Sequence, residues 1–103
     1  MQPSEIQKII EAEIAGNWDR WNPHGVKLRT CLVTPEKKTY GLHGGGTQEL
    51  WLVLEENPET HFGYRIVFDE QTGKFGLAMD QMSDPVDFYL GPYGSFLTTL
   101  DAM

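Results

Sequence analysis

The apolar residues near the start of the chain are spaced as in an amphipathic helix. Four isoleucines recur at intervals of three and four residues, at Ile6, Ile9, Ile10 and Ile14. Such intervals place side chains on one helical face. We predict a helix from about Glu5 to Ala15, opened by a capping box of Ser4 and Gln7 and ended by Gly16. The isoleucine face requires a second layer, for which a sheet is expected.

The next segments alternate apolar and polar residues, which is the period of a β-strand. Val26–Leu32 is predicted to be a half-buried strand. Thr34–Lys38 is predicted to be a turn, because proline favours the second turn position and the charged residues favour water. A short strand at Thr39–Leu42 follows.

Two later segments predict a central strand and a hairpin. Glu49–Glu55 is apolar at every interior position, as in a strand covered on both faces. Phe62–Phe68 and Lys74–Asp80 alternate on either side of Asp69–Gly73, which predicts a β-hairpin around that loop.

Helix signals return at the end of the chain. Asp84 is a candidate N-cap before Pro85, with a short helix at Val86–Leu90 ended by Gly91 and Pro92. Ser95 is a candidate cap for a last helix. The predicted fold class is α+β: an N-terminal helix packed on a four- to five-stranded, mainly antiparallel sheet, with short C-terminal helices, in one domain of residues 1–103.

The composition of the chain argues against a membrane-spanning or a secreted protein. The chain has 103 residues, of which 40% are hydrophobic, and its longest apolar run, Leu50 to Leu54, is far below the roughly 18 to 20 residues that span a bilayer. The first residues lack the basic start and apolar core of a secretion signal, so we expect a cytoplasmic protein. A single cysteine, Cys31, agrees with a reducing compartment, and its place in a predicted strand indicates a packed thiol rather than a nucleophile.

The charge is unevenly distributed. The formal net charge is −7, and residues 49–103 contain ten of the fifteen acidic residues but only Arg65 and Lys74 as bases. An excess of carboxylates repels nucleic-acid phosphates and anionic lipid and attracts a basic protein surface. We therefore expect a basic protein partner, no nucleic acid and no membrane. The alternative is that the carboxylates only keep a small protein soluble.

The candidate partner-binding residues are the acidic residues of the second half together with two tyrosines near them. Exposed aromatic residues beside acids are natural interface anchors. The candidates are Glu55, Glu56, Glu59, Asp69, Glu70, Asp80, Asp84, Asp87, Tyr89 and Tyr93.

Catalytic and metal signals are weak. His24, His43 and His61 stand 19 and 18 residues apart and form no local metal motif. The segment Gly41–Thr47 could cradle a phosphate, but it lacks a P-loop ending and leads into a strand, which favours a hairpin. We therefore expect no catalytic residue, metal or cofactor.

One segment resembles a known family. Residues Trp21–Thr30 are similar to the first-strand region of small bacterial immunity proteins of polymorphic-toxin systems, in which a Trp and a His precede Gly-Val, an aliphatic residue and Thr. The resemblance implies a cytoplasmic, non-enzymatic inhibitor. Such a protein binds a toxin domain, often a basic nuclease, and blocks its active site with acidic and aromatic residues.

Two other hypotheses remain open. A small, acidic, dimeric secretion chaperone has the same composition, and it predicts a homodimer with an apolar groove. A small ligand-binding or enzymatic domain would use His24, His43, His61 and the glycine-rich loop. It requires a concave pocket in which at least two of these histidines meet a carboxylate.

Overall fold

The computed structural model describes residues 1–81 and 86–103. Its elements, in chain order, are α1 (Pro3–Ile14), α2 (Leu28–Cys31), β1 (Leu32–Gly41), β2 (Thr47–Glu55), β3 (Tyr64–Asp69), β4 (Lys74–Met79), β5 (Asp87–Gly94) and α3 (Phe96–Ala102). The predicted α+β class is confirmed, with an N-terminal helix, a five-stranded, mainly antiparallel sheet and a short C-terminal helix. Among the described residues, no helix has the length and apolar character needed to cross a membrane.

Helix α1 confirms the helix predicted from the isoleucine stripe. Three of its isoleucines are buried: Ile6, Ile10 and Ile14. The predicted capping box is wrong, because the N-cap is Gln2 and Ser4 lies inside the first turn. Proline has a φ preset for the first helical position, so Pro3 allows the helix to begin before Ser4.

The segment after α1 differs most from prediction. The strand predicted at Val26–Leu32 is wrong, because Leu28–Cys31 forms the single turn α2. Leu28 and Cys31 are both buried, and a helical turn brings residues three apart to one side, whereas a strand would direct them to opposite faces.

The turn predicted at Thr34–Lys38 is also wrong, because these residues lie within β1. Pro35 sits in a register irregularity between Leu32 and Glu36. A proline is tolerated there because the ladder is already interrupted and its missing N–H is not needed. The short strand predicted at Thr39–Leu42 is the second half of β1.

The strands close into a barrel in sequence order. Neighbouring strands are antiparallel, and β1 meets β5 in parallel through Tyr40 opposite Asp87 and Gly41 opposite Phe88. The strand predicted at Glu49–Glu55 is confirmed as β2, in which every residue from Leu50 to Glu55 is buried. Its predicted central place is wrong, because no strand of a closed barrel is central. The predicted hairpin is confirmed as β3 and β4, whose register is unbroken from Tyr64 opposite Met79 to Asp69 opposite Lys74.

Strand β5 replaces the helix predicted at Val86–Leu90, which is wrong. Gly91 and Pro92 lie inside this strand rather than ending a helix, and the β4–β5 pairing has two register shifts. A Cβ on Gly76 would overlap the carbonyl oxygen of Gly91 and lie 2.8 Å from Tyr89 Oη. The close approach of β5 therefore depends on a glycine in β4. Asp84 and Pro85, the predicted cap and first helical residue, lie outside the described residues.

Two apolar layers lie on the two sides of the sheet. The outer core lies between the sheet and the helices, and it includes Ile6 and Ile10 of α1 and Phe96 and Leu100 of α3. The inner layer takes one residue from each of the five strands: Tyr40, Leu50, Val67, Ala78 and Tyr89.

Helix α3 is capped from two directions. Ser95 confirms the predicted cap, since its hydroxyl accepts a hydrogen bond from the Thr98 backbone N–H. The Glu13 carboxylate of α1 accepts two more, from the N–H groups of Phe96 and Leu97 at 3.1 Å each. A carboxylate at the N-terminus of a helix also complements the helix dipole. Glu13 thereby joins the first helix to the last.

Candidate functional site

Two of the predicted acidic residues stabilise the β3–β4 turn. Asp69 accepts hydrogen bonds from the Gln71 backbone N–H at 2.9 Å and from Gln48 Nε2 at 3.1 Å. Glu70 accepts from Lys37 Nζ at 2.8 Å and lies 3.4 Å from the N-terminal ammonium. The hydrogen bond from Lys37 is the main reason that the pKa of Glu70 is lowered. Both carboxylates are occupied by contacts within the molecule.

Glu56 joins two loops at one end of the sheet. Its carboxylate lies 2.6 Å from His24 Nδ1 and accepts a hydrogen bond from the Tyr64 backbone N–H at 3.0 Å. The backbone oxygen of Glu56 also accepts a long hydrogen bond from Cys31 Sγ, 3.7 Å away. Cys31 is therefore the buried thiol that the sequence predicts. Glu59, in the same loop, is exposed.

Asp80 and Asp87 surround the buried Arg65. The guanidinium Nε donates to Asp87 Oδ2 at 2.9 Å, and Nη1 lies 3.7 Å from Asp80 Oδ1. Two backbone carbonyl oxygens accept the remaining hydrogen bonds, that of Gly63 at 2.9 Å and that of His61. Arg65 is only 6% exposed, so these partners are needed to offset its desolvation.

The two predicted tyrosine anchors lie in different environments. Tyr89 belongs to the inner layer and is buried, and burial, followed by the nearby charge of Asp69, raises its pKa to about 12. Its side chain is not available as an exposed anchor. Tyr93 is 45% exposed and remains available at the surface of β5.

The predicted acidic residues that the structure describes thus fall into three groups with different partners. One lies at the β3–β4 turn, one lies around the loop after β2, and one surrounds Arg65. Lys37 and Arg20, both from the first half of the chain, pair with Glu70 and with Asp101. Most of the described acidic side chains of the second half therefore contact a hydrogen-bond donor within the molecule.

The three histidines do not converge. His24 contacts Glu56, and His61 Nδ1 lies 3.0 and 3.1 Å from the two carboxylate oxygens of Glu55. His43 stacks edge-on against Phe88, with ring centroids 4.5 Å apart. Within residues 1–81 and 86–103, no three His, Cys, Asp or Glu side chains are grouped as metal ligands.

The glycine-rich segment forms the β1–β2 hairpin turn, as the hairpin interpretation expects. Leu42 N–H donates to Gly46 O at 3.1 Å, and Gly45 N–H donates to Leu42 O at 3.2 Å. Gly44, Gly45 and Gly46 all have positive φ, which glycine adopts without steric cost. Because two of its N–H groups bond within the turn, the segment offers little of the nest that a phosphate would need.

A polar cleft of about 490 Å³ opens where β1 meets β5. It is lined by Lys38, Thr39, Tyr40, Glu55, His61, Arg65, Val86 and Asp87. Strands β1, β2, β3 and β5, the loop after β2 and the residue before β5 supply these residues, so the cleft exists only in the closed sheet. It was not identified from the sequence, in which Arg65 is a polar position of an alternating strand and Lys38 belongs to the predicted turn Thr34–Lys38.

The floor of this polar cleft contains unusually buried polar groups. Tyr40 is 0% exposed and Glu55 is 7% exposed, and the Tyr40 hydroxyl has no hydrogen-bond partner among the described residues. Burial raises the Tyr40 pKa, and the charge of Asp87 adds to the rise. Burial likewise raises the pKa of Asp87, against the opposing effect of Arg65 and Lys38 and with Asp80 and Glu55 adding to the rise.

A second feature missed from the sequence is a pair of exposed aromatic side chains on neighbouring loops. Trp21 is 80% exposed and Phe62 is 62% exposed. The contact between His24 and Glu56 ties the loop of residues 15–27 to the loop of residues 56–63, and the His24 and Tyr64 rings meet edge-on at 5.6 Å. We call the exposed faces of these two loops the loop surface.

A groove of about 490 Å³ adjoins Trp21 on the loop surface. Its wall includes Trp18, over which the Arg29 guanidinium lies at 5.6 Å. Arg20 in the same wall is paired with Asp101 through two hydrogen bonds, of 3.0 and 3.3 Å. The groove is therefore aromatic. Of the three cations in its wall, Arg20 and Arg29 lie beside the carboxylates of Asp101 and Asp19, and Lys27 is exposed.

The sequence and the fold were compared with known proteins. The chain matches no protein-family model, and neither the curated proteins nor the solved structures give a significant match.

Proposed function

We propose that this protein is a non-catalytic binding module that holds a basic protein through the loop surface. The observation that carries the proposal is the exposure of Trp21 and Phe62, 80% and 62%, on two loops joined by the 2.6 Å contact between His24 and Glu56. Large aromatic side chains are the residues that most often dominate binding energy at protein interfaces. Two of them exposed on a braced scaffold are typical of a contact surface.

Charge supports a basic partner. The net charge is −7, and eight cations cannot neutralise fifteen acidic residues however the side chains pair. A field of this sign accelerates encounter with a positively charged protein and disfavours nucleic acid. Glu59 lies exposed in the same loop as Phe62, where it can meet a cation on the partner.

The resemblance of Trp21–Thr30 to bacterial immunity proteins supports a more specific partner, a toxin domain that this protein inhibits by covering it. Trp21 and His24 belong both to the resembling segment and to the loop surface. Because Tyr89 is buried, Trp21 and Phe62 take its place as the proposed aromatic anchors for the partner.

The experiment is capture followed by titration. Immobilised wild-type protein and a Trp21→Ala/Phe62→Ala variant are exposed to extract of the source cell, and captured proteins are identified and then purified for titration. We expect a basic protein, often encoded beside this one, whose affinity falls at least a hundredfold in the double variant, because each anchor contributes about 2 kcal/mol or more. Binding should also weaken as salt is raised.

Tyr93→Ala is the matched control, since it removes an exposed aromatic residue from β5, outside the two loops. It should leave the affinity unchanged. If Tyr93→Ala abolishes binding and the double variant does not, the interface lies on β5 and the loop surface is the wrong assignment. If no basic protein binds the wild type, the proposal fails altogether.

A further inference from the structure

The polar cleft presents carboxylates rather than cations to an incoming group. Arg65 lies at its floor, but its Nε, Nη1 and Nη2 already donate to Asp87, Gly63 O and His61 O. Three of its five N–H groups are thus engaged within the molecule. By contrast, within residues 1–81 and 86–103 the Glu55 carboxylate contacts only the single Nδ1 of His61, and Asp87 uses one of its two oxygens for Arg65. Each carboxylate retains capacity to accept a hydrogen bond.

Near the floor of the polar cleft, carboxylates outnumber buried cations. Arg65 is within 3.7 Å of both Asp87 and Asp80, and Glu55 is opposite Arg65 in the strand register. Three carboxylates therefore share one buried cation, with Lys38 exposed at the rim and His61 uncharged unless protonated. A further cation at this position would relieve the repulsion among the carboxylates.

An independent feature of the cleft is the buried hydroxyl of Tyr40. Tyr40 is a lining residue of the cleft and is fully buried, and its hydroxyl has no hydrogen-bond partner among the described residues. The charges of Asp87, Arg65 and Glu55, all of them cleft residues, act on this hydroxyl. A buried hydroxyl without a partner costs free energy, and native proteins rarely retain one without use. A donor entering the cleft would satisfy the hydroxyl oxygen and the two carboxylates together.

We propose that the polar cleft binds an ammonium or guanidinium group. This inference deepens the proposed function and rests on it for the source of the group, which is a lysine or arginine side chain of the basic partner. His61, in the cleft wall, belongs to the same loop as Phe62, so a partner seated on the loop surface can extend one side chain into the cleft. Glu55, Asp87 and Tyr40 accept its hydrogen bonds.

The test uses backbone amide NMR of the full chain at constant ionic strength, with no partner present. Butylammonium, ethylguanidinium and a capped Gly-Lys-Gly peptide are the cationic probes, and butyrate and 1-butanol are the controls. We expect the cations to shift the amides around residues 38–40, 55, 61, 65 and 87, and the controls to leave them unmoved. Tyr40→Phe should weaken cation binding about tenfold, the effect of losing one hydrogen bond to a charged group.

Tyr93→Phe is the matched control, because it removes an exposed hydroxyl outside the cleft and should not change binding. Tyr40→Phe removes an atom without a described partner, so it should fold normally and the comparison stays interpretable. A peptide that binds more tightly than butylammonium supports a side chain of the partner as the source. Equal affinities support the cation site and overturn that source in favour of a free amine.

Butyrate shifting the same amides, or no cationic probe shifting them, would overturn the cation site. These outcomes are separable from failure of the proposed function, because the capture experiment alters only Trp21 and Phe62 and the titration needs no partner.

Discussion

The two sides of the sheet are stabilised by different interactions. The outer core consists almost entirely of apolar groups and is sealed by α1 and α3, whereas the inner layer ends in a cleft containing Arg65, Glu55 and Asp87. Apolar burial stabilises in proportion to area and needs no particular partner. Buried charges stabilise only when every partner is in place. The outer core is thus suited to hold the fold, and the inner layer is suited to recognise a ligand.

The sharpest test of this contrast is Phe96→Ala in the outer core. Phe96 is 0% exposed and its ring meets that of Phe75 at a centroid distance of 5.7 Å. We expect a loss of about 4 kcal/mol in the free energy of unfolding from lost burial and the cavity left behind, measured by urea denaturation. The exposed Tyr93→Ala should cost no more than about 0.5 kcal/mol. Equal effects would mean that α3 does not seal the core.

Arg65→Met tests the inner layer. It removes the cation from Asp87 and Asp80 and the donors from two carbonyl oxygens, at an expected cost of about 3 kcal/mol. The exposed Lys74→Met serves as the control and should change stability little in the same urea titration. If the Arg65 variant is as stable as the wild type, Asp87 and Asp80 do not need Arg65 as a partner. The proposed difference between the inner layer and the outer core would then be wrong.

Gly76→Ala tests how closely β5 approaches β4. The added methyl would overlap backbone of Gly91 and crowd Tyr89, so we expect a loss of about 2 kcal/mol from overpacking and a lower Tm. Gly41→Ala is the matched control, since its Cβ would lie 3.5 Å or more from its neighbours and its effect should be near zero. Similar effects at both glycines would contradict the close packing of β4 and β5.

The inner layer should also give the protein a base-sensitive stability. The pKa of Tyr89 is raised to about 12, whereas an unfolded tyrosine titrates near about 10. Between these values the folded chain retains a proton that the unfolded chain has lost, so stability falls as the pH rises through this window. Tyr89→Phe should flatten the decline of the unfolding free energy above about pH 10. An unchanged slope would contradict the burial of this hydroxyl.

The smallest expected effect is that of Tyr40→Phe. Its hydroxyl has no hydrogen-bond partner among the described residues, so its removal should leave the stability within about 0.5 kcal/mol of wild type, or slightly raise it. A loss of 2 kcal/mol or more in urea denaturation would show that the hydroxyl is satisfied within the protein and is not held for a ligand.

The predictions from sequence succeeded where the information is local. The isoleucines of α1, the alternation in β3 and β4 and the Ser95 cap each depend on neighbours a few residues away, and all three were recognised. They failed in residues 26–38 and 86–92, where α2, Pro35 and β5 adopt their conformations because of contacts with distant strands. Propensity is a weak prior when tertiary packing opposes it.

The sequence by itself determined the α+β class, the long helix, the buried strand β2, the hairpin and the net charge of −7. Only the tertiary structure decided which carboxylates pair with which cations, because those partners lie far apart along the chain, as Lys37 and Glu70 do. It also decided that Trp21 and Phe62 are exposed on joined loops and that the polar cleft exists. Alternation records which face of a strand a residue occupies, but closing the sheet determines which residues then meet.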